Sequence, residues 1–291
     1  MVKAIITAYY PSDSVRVHAE QIAAQVDKVY ICDNSPVSNK ALFEQACDQD
    51  KIVYTCFCEN LGLSSAFNRV LKDASLEWNA DDYVFFFDQD SSIEGGHIPQ
   101  MIRDYEELRH RGYQVGCLGP AYFNTSNQTL ETPRSKTNLC DGIYAVSSII
   151  TSSMLCRYED LQFVGFWNEE VFLDMADWDI CWRLQEIGKM CCLTQNVVLH
   201  HSVGSGEKKL GPVSLRVGQP IREYYQIRDG MYLFMKGYAP WKFRLRYIAM
   251  LTVRSMLHVL LLDRRSERLR FICKGFVDAC RKKKGVLTLS K

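Results

Sequence analysis

Asp88-Gln89-Asp90 sets two carboxylates on one side of an extended segment, because side chains at i and i+2 of a strand share a face. Hard oxygen ligands at that spacing suit magnesium or manganese, which keep several waters and take further oxygens from a substrate diphosphate. The pair also occurs on plain solvated loops, but here it closes a run of apolar residues, 83–87. A second acidic group, Asp174, Asp177 and Asp179, lies in Phe172-Leu-Asp-Met-Ala-Asp-Trp-Asp-Ile-Cys-Trp-Arg183. The helical period predicts Asp174 and Asp177 on neighbouring parts of one helix face, and clustered like charges raise one another's pKa toward that of a general base. Arg183 stands four residues after Asp179, the spacing of a structural ion pair, which leaves Asp177 as the candidate base. His200-His201, at the end of a predicted strand, offers one imidazole to a metal or phosphate, or a purely structural hydrogen bond.

These groups need a scaffold that gathers them. Residues 4–8, 28–33, 51–57 and 82–88 read as strands, each closed by turn-forming residues: Tyr9 to Pro11, Asp33 to Pro36, Glu59 to Gly62, and Asp88 to Ser92. Helical stretches between them, 14–26, 41–48 and 63–72, the last opened by the capping candidates Ser64 and Ser65, predict a doubly wound α/β sheet. Ligands on such sheets bind beyond the carboxyl ends of the strands, where all four turns fall. Further along, 114–120 and 190–199 read as strands, 165–188 as carrying a helix, and 122–141 and 205–210 as loops. From residue 219 the pattern is helical. An aspartyl-nucleophile phosphatase also uses Asp-x-Asp at a strand end, but on its first strand; here the first strand leads into Thr7-Ala8-Tyr9-Tyr10, with no acid. A nucleotidyltransferase or phosphatase on a similar sheet, and a carbohydrate-binding or scaffolding protein without activity, are the alternative classes.

With 291 residues, 47% of them hydrophobic and 24% charged, the chain has ordinary globular composition and enough length for a sizeable core. No signal peptide is legible at the start, and the twelve cysteines are scattered through apolar runs rather than framed for disulfides. Both point to a cytoplasmic protein with reduced thiols. The net charge of +1 hides an asymmetry: residues 240–291 carry 14 Lys and Arg against 3 Asp and Glu, whereas residues 1–239 carry 21 against 31. Residues 247–262 are apolar but interrupted by Arg254 and His258, and shorter than the roughly 20 residues of a membrane span. The basic tail is open to two readings: helices lying on an anionic membrane surface on the inner face of the cell membrane, or a helical hairpin that packs on the catalytic part or forms a homodimer. No nucleic-acid module accompanies the charge.

Six segments occur in order over about three quarters of the chain: Thr7-Ala-Tyr-Tyr-Pro11, Asp33-Asn-Ser35, Asn60-Leu-Gly-Leu-Ser-Ser-Ala-Phe-Asn68, Phe87-Asp-Gln-Asp-Ser91, the stretch from Val164 to Arg183, and His201-Ser-Val-Gly204. Together they resemble the family 2 glycosyltransferases, closest to their bacterial rhamnosyltransferase branch. The resemblance implies a GT-A fold, a Rossmann-like mixed sheet over residues 1–215, with a helical, basic extension over 216–291. It implies an inverting transfer from a nucleoside diphosphate sugar, dTDP-rhamnose or a UDP-sugar, to a lipid-linked cell-surface glycan; other hexosyl or galactofuranosyl transfers stay open. Thr7, Ala8, Tyr9, Tyr10 and Asp33 would then hold the nucleobase and ribose, with Asn60, Gly62 and Asn68 shaping the nucleotide pocket. Asp88, Gln89 and Asp90 would face the donor; Asp88, Asp90 and His201 would bind Mn2+ or Mg2+. Trp167, Glu169, Asp174 and Trp178 would face the acceptor, and Asp177 would take its proton. One departure is Phe67, where many members carry a basic residue suited to the diphosphate.

Overall fold

Strand β4 (Tyr83–Asp88) is apolar on both faces because both are covered. Phe85 and Phe87 point into one core layer and Val84 and Phe86 into the other, as the two-residue period of a strand dictates. All four are fully buried, and each aromatic ring withdrawn from water stabilises the fold by roughly 1.5–3 kcal/mol. The computed structural model describes residues 1–44, 46, 50–124, 129–131, 133, 135–201, 207–210, 213–216 and 218–287.

Around β4 runs one mixed sheet, in the order β3-β2-β1-β4-β9-β5-β10-β8-β7, with β6 on β5. Strands β1 (Val2–Ala8), β2 (Lys28–Asp33), β3 (Ile52–Cys56) and β4 are mutually parallel, joined by helices α1 (Asp13–Ala23), α2 (Lys40–Phe43) and α3 (Leu63–Leu71). After α4 (His97–His110) come β5 (Val115–Asn124), β6 (Thr129–Glu131), β7 (Lys136–Cys140), β8 (Ile143–Val146) and β9 (Met154–Arg157). Helices α5 (Tyr158–Phe163) and α6 (Ala176–Glu186) precede β10 (Met190–His201), which pairs parallel to β5 and antiparallel to β8. A separate ribbon joins β11 (Glu207–Leu210) to β12 (Val213–Arg216). Helices α7 (Ile221–Met235), α8 (Trp241–Ala249), a π-helical turn (Met250–Arg254), α9 (Ser255–Leu261) and α10 (Arg265–Cys280) complete the chain.

The expected α/β class is the class observed, and four local expectations change. Helix α6 starts at Ala176, so Asp174 precedes it instead of sharing its face with Asp177. The stretch 122–141, expected as loop, carries β6 and β7, because their backbone groups pair with β5 and β8; residues 125–128, 132 and 134 lie outside the described set. Within 205–210, also expected as loop, residues 207–210 are strand, while 205 and 206 are not among the described residues. Helix α3 is capped by neither Ser64 nor Ser65: Gly62 takes the N-cap position, and Ser64 turns inward, its hydroxyl buried without a partner.

Candidate active site

Strand register brings the turns to one edge. Thr7 of β1 pairs with Asp88 of β4, Ala8 with Asp33 of β2, and Asp33 with Cys56 of β3, so the chain leaves all four strands at one level. Gln89, the middle residue of the acidic motif, is a strut. Its side chain accepts from Tyr9 N at 2.8 Å and donates to Tyr9 O at 3.3 Å, while its own carbonyl meets His18 Nδ1 at 3.0 Å. The next residue along, Tyr10, donates its N–H to Ser35 Oγ at 2.7 Å. Tyr9 and Tyr10 stand exposed at the rim, rings edge to face at 4.6 Å.

Asp33 is buried and fully engaged. One oxygen accepts from Ser35 N at 2.9 Å; the other accepts from Tyr54 OH at 2.6 Å and Asn39 Nδ2 at 2.8 Å. Burial alone would raise its pKa, but these donors win and hold it below the usual carboxylate range. Asn34 extends the bracing, accepting from Leu61 N at 3.2 Å, and Asn60 accepts from Gly62 N at 3.0 Å. Gly62 has φ +80°, and a Cβ there would collide with the Phe172 carbonyl and ring, so glycine lets the α3 turn touch the Phe172 loop. Leu63 N then donates to Phe172 O at 2.7 Å.

Several of the expected contact residues face inward. Asn68 is 2% exposed and clasps the Trp167 backbone, Nδ2 to O at 2.8 Å and Oδ1 to N at 3.0 Å, and donates to Glu169 Oε1 at 2.7 Å. Trp167 is core, its ring 4.9 Å from both Phe67 and Phe86. Glu169 pairs with Lys72 at 3.0 Å at the surface, where both side chains are about half exposed. Phe67 itself is wholly buried in that cluster and offers no group to a diphosphate.

The acidic edge is different. Asp177 opens helix α6, half-buried, and lines a cavity of about 190 Å³ with Trp178, Tyr122, Ser148, Ile150 and Leu193. Its pKa is pushed up to about 7: burial is the main cause, the charges of Asp88 and Asp174 add to it, and the backbone N–H of Trp178 at 2.9 Å opposes it. Asp179, one residue beyond Trp178, is satisfied by Arg183 Nε at 2.7 Å, Tyr238 OH at 2.6 Å and Asn168 Nδ2 at 3.0 Å, the structural pair that the spacing predicts. A larger cavity of about 760 Å³ lies further along, between α4 and β10, lined by Glu94, Arg103, Phe123 and His200; it contains neither Asp177 nor the acidic motif.

Arg222 has no signal in the sequence, because no motif ties it to the acids nearly fifty residues before it. From the start of α7 it forms a two-point ion pair with Asp174, Nη2 to Oδ1 and Nε to Oδ2 at 3.4 Å, and the charge of Asp88 also holds its guanidinium protonated. Asp229 of α7 accepts from Phe172 N at 2.8 Å and from Arg228 Nε at 2.7 Å, fixing the loop that presents Asp174. Asp88, Asp174, Asp177 and Arg222 thus share one field.

Asp88 and Asp90 offer hard oxygens at the mouth of the cleft, Asp90 exposed and Asp88 partly so, a donor set that fits a magnesium or manganese ion sharing a diphosphate. The His201 backbone ends β10; its side chain lies outside the described residues, as does Ser202-Val203-Gly204. Among the described residues the sole cluster of three ligating groups is Cys117, Cys181 and Cys191, buried in the core. All eleven described cysteines are free thiols, Cys56 and Cys58 standing with their sulfurs 3.6 Å apart.

The model of the family described as Glycosyl transferase family 2 matches residues 4–161, from β1 through the acidic motif to α5. The chain belongs to glycosyl transferase family 2. This transferase is 25% identical over 265 residues to the dTDP-rhamnosyl transferase RfbF of Shigella flexneri, an alignment covering 89% of the chain and 87% of that protein. Its structure is similar to the crystal structure of GalNAc-T7 with UDP, GalNAc and Mn2+, at a TM-score of 0.57 and 10% identity over 97% of the chain. The transferase spans 56% of that longer chain, and the likeness shows the fold, GT-A, alone.

Proposed function

We propose that the protein is an inverting, metal-dependent hexosyltransferase that carries rhamnose from a nucleoside diphosphate donor to a hydroxyl of a lipid-linked glycan. The observation that carries this reading is Asp177, a carboxylate with its pKa near 7, opening on a cavity and close enough to Asp88 to feel its charge. In an inverting displacement the acceptor oxygen bonds to the anomeric carbon as the bond to the diphosphate breaks on the opposite face, and the hydroxyl proton passes to the base. Asp177 takes that proton, and Trp178 walls the acceptor side. Asp88 and Asp90 would hold a divalent cation, which would supply positive charge to the departing diphosphate. Arg222 supplies the cation that Phe67 cannot, exchanging part of its pairing with Asp174 for a phosphate oxygen. The rim residues Tyr9 and Tyr10 receive the nucleobase, and Asp33 acts by bracing the loop behind them. The similarity to a dTDP-rhamnosyl transferase supports rhamnose.

Residues 1–215 form the catalytic part in this reading and 216–291 an extension attached through α7. The cytoplasmic face of a membrane is where a nucleotide sugar meets a lipid-linked acceptor, and among the described residues no helix is long and apolar enough to cross one. The test is a panel of nucleotide sugars with manganese. Free nucleoside diphosphate and a product of opposite anomeric configuration, greatest with dTDP-rhamnose, are expected; release of pyrophosphate or inorganic phosphate, or retained configuration, overturns the proposal.

A further inference from the structure

Residues 241–261 run as one helical stretch through α8, the π-helical turn and α9, and contain no Asp or Glu. One side is docked. Phe243 and Tyr247 are buried, Tyr247 OH donates to Ile227 O at 2.6 Å, and Gly230 of α7 leaves room for the Tyr247 ring where a Cβ would collide. Further on, Ser255 and His258 are buried on the same side, with His258 Nδ1 at 2.6 Å from Glu223. The other side is apolar and open: Trp241 is 66% exposed, Leu245 58%, Ile248 49%, Val253 54%, Met256 56% and Leu260 53%.

The spacing of those six residues makes sense only with the π turn. Trp241, Leu245 and Ile248 follow the i, i+4, i+7 rule of an α-helical face, as do Val253, Met256 and Leu260 at i, i+3, i+7. From Ile248 to Val253 is five residues against the 3.6 of a regular turn, an overshoot of about 140° that would twist the second half of the stripe off the first. The π turn absorbs the extra residue within one turn, so both halves lie on a single face. On the first half, exposed Lys242 and Arg246 border the apolar stripe on the side away from Arg244. Basic residues beside a stripe that includes a tryptophan, with no carboxylate along the helix, match a lipid interface whose headgroups are anionic. A second copy of this chain would instead meet the same positive charge on its partner.

We propose that the open face of residues 241–261 is an in-plane anchor to an anionic bilayer surface, with Trp241, Leu245 and Ile248 entering the acyl boundary. The docked side carries the consequence. Phe243 packs on Trp182 at 4.8 Å and on Trp178 at 6.0 Å, and Trp178 lines the Asp177 cavity. The bilayer is thereby held at a fixed offset from the acceptor wall, so that a lipid-linked acceptor is delivered to Asp177 along the surface. This inference supplies the membrane side of the proposed transfer and rests on that reading only for the identity of the acceptor.

The experiment uses the full chain with vesicles of phosphatidylcholine, alone or mixed with phosphatidylglycerol. Co-sedimentation with the anionic vesicles alone is expected, weakened by salt, together with quenching of Trp241 fluorescence by brominated acyl chains that is absent from Trp241→Phe. Leu245→Glu/Leu260→Glu should lose vesicle binding by more than tenfold, and Lys242→Glu/Arg246→Glu by at least about 25-fold, since each basic residue near the surface contributes on the order of a fivefold factor and reversal adds repulsion. These positions are on the surface, so turnover of donor with a water-soluble acceptor and the melting temperature should stay unchanged in both variants. Vesicle binding equal to that of the unaltered chain, or a dimer in sedimentation equilibrium that the leucine variant dissociates while vesicles are ignored, overturns the anchor and leaves the transferase reading standing. Vesicle binding with no donor turned over overturns the transferase reading alone.

Discussion

Asp33 and Asp177 are two sheltered aspartates at the same edge of the protein, and their environments drive them in opposite directions. Three donors from Ser35, Tyr54 and Asn39 outweigh burial at Asp33 and keep it ionised. At Asp177 burial is opposed chiefly by the Trp178 backbone N–H and reinforced by the charges of Asp88 and Asp174. A carboxylate held by three donors braces a loop; one left short of donors, beside other acids and open to a cavity, can accept a proton. The nucleotide edge is therefore braced in advance, whereas the acceptor edge retains the reactive group.

The largest effect should come from Asp177→Asn. With the base removed, kcat should fall by about 10²–10⁴-fold while calorimetry shows donor binding retained. Loss of donor binding would make Asp177 a binding residue and erase the contrast. In the unaltered enzyme kcat/KM should rise about tenfold per pH unit on the acid side and level off at or below pH 7, because the base acts only when ionised and a cation on Asp88 would relieve part of the charge that raises its pKa. Arg222→Ala should lower kcat/KM by roughly ten- to hundredfold, the size expected for a charge-assisted hydrogen bond to a leaving phosphate; full activity would return the diphosphate to the metal alone.

Stability should reverse the order of the two acids. Asp33→Asn leaves one oxygen where two now accept and turns an NH2 group toward existing donors, so it should destabilise by about 1–3 kcal/mol at neutral pH, read from denaturant midpoints. The folded-state pKa of Asp33 is lowered, so its contribution is complete above its unfolded value near 3.9 and fades as pH falls through the lower, folded one. Asp177 has the opposite sign. Its pKa is raised, so the stability it confers is complete below about 4 and is lost as pH rises through 7. Asp177→Asn should therefore melt higher than the unaltered protein at pH 8 and show little difference at pH 4; a lower melting temperature at pH 8 would refute the burial account. A change of similar size is expected at Gly62, where alanine should cost about 1–3 kcal/mol, read from the same midpoints, through its positive φ and the clash with Phe172.

The alternation of apolar strands and turn residues determined the parallel half of the sheet and put Asp88-Gln89-Asp90 at a strand end, because strand periodicity and turn chemistry are local properties of a few consecutive residues. The same local rules marked Asp179 and Arg183 as a pair four residues apart. Tertiary structure decided what no local rule contains. Asp33 is saturated because Tyr54 arrives from the neighbouring strand, and Asn68 is spent on the backbone of Trp167, 99 positions away in the chain. Asp174 lies before its helix and finds Arg222 because Asp229 and Gly62 pin the Phe172 loop from two sides. The apolar stripe of residues 241–261 becomes one face only when a π turn takes up a residue that α-helical periodicity cannot place. Partners so distant in sequence leave no periodic trace, since what joins them is the closing of the fold, and that closing turned two similar aspartates into a brace and a base.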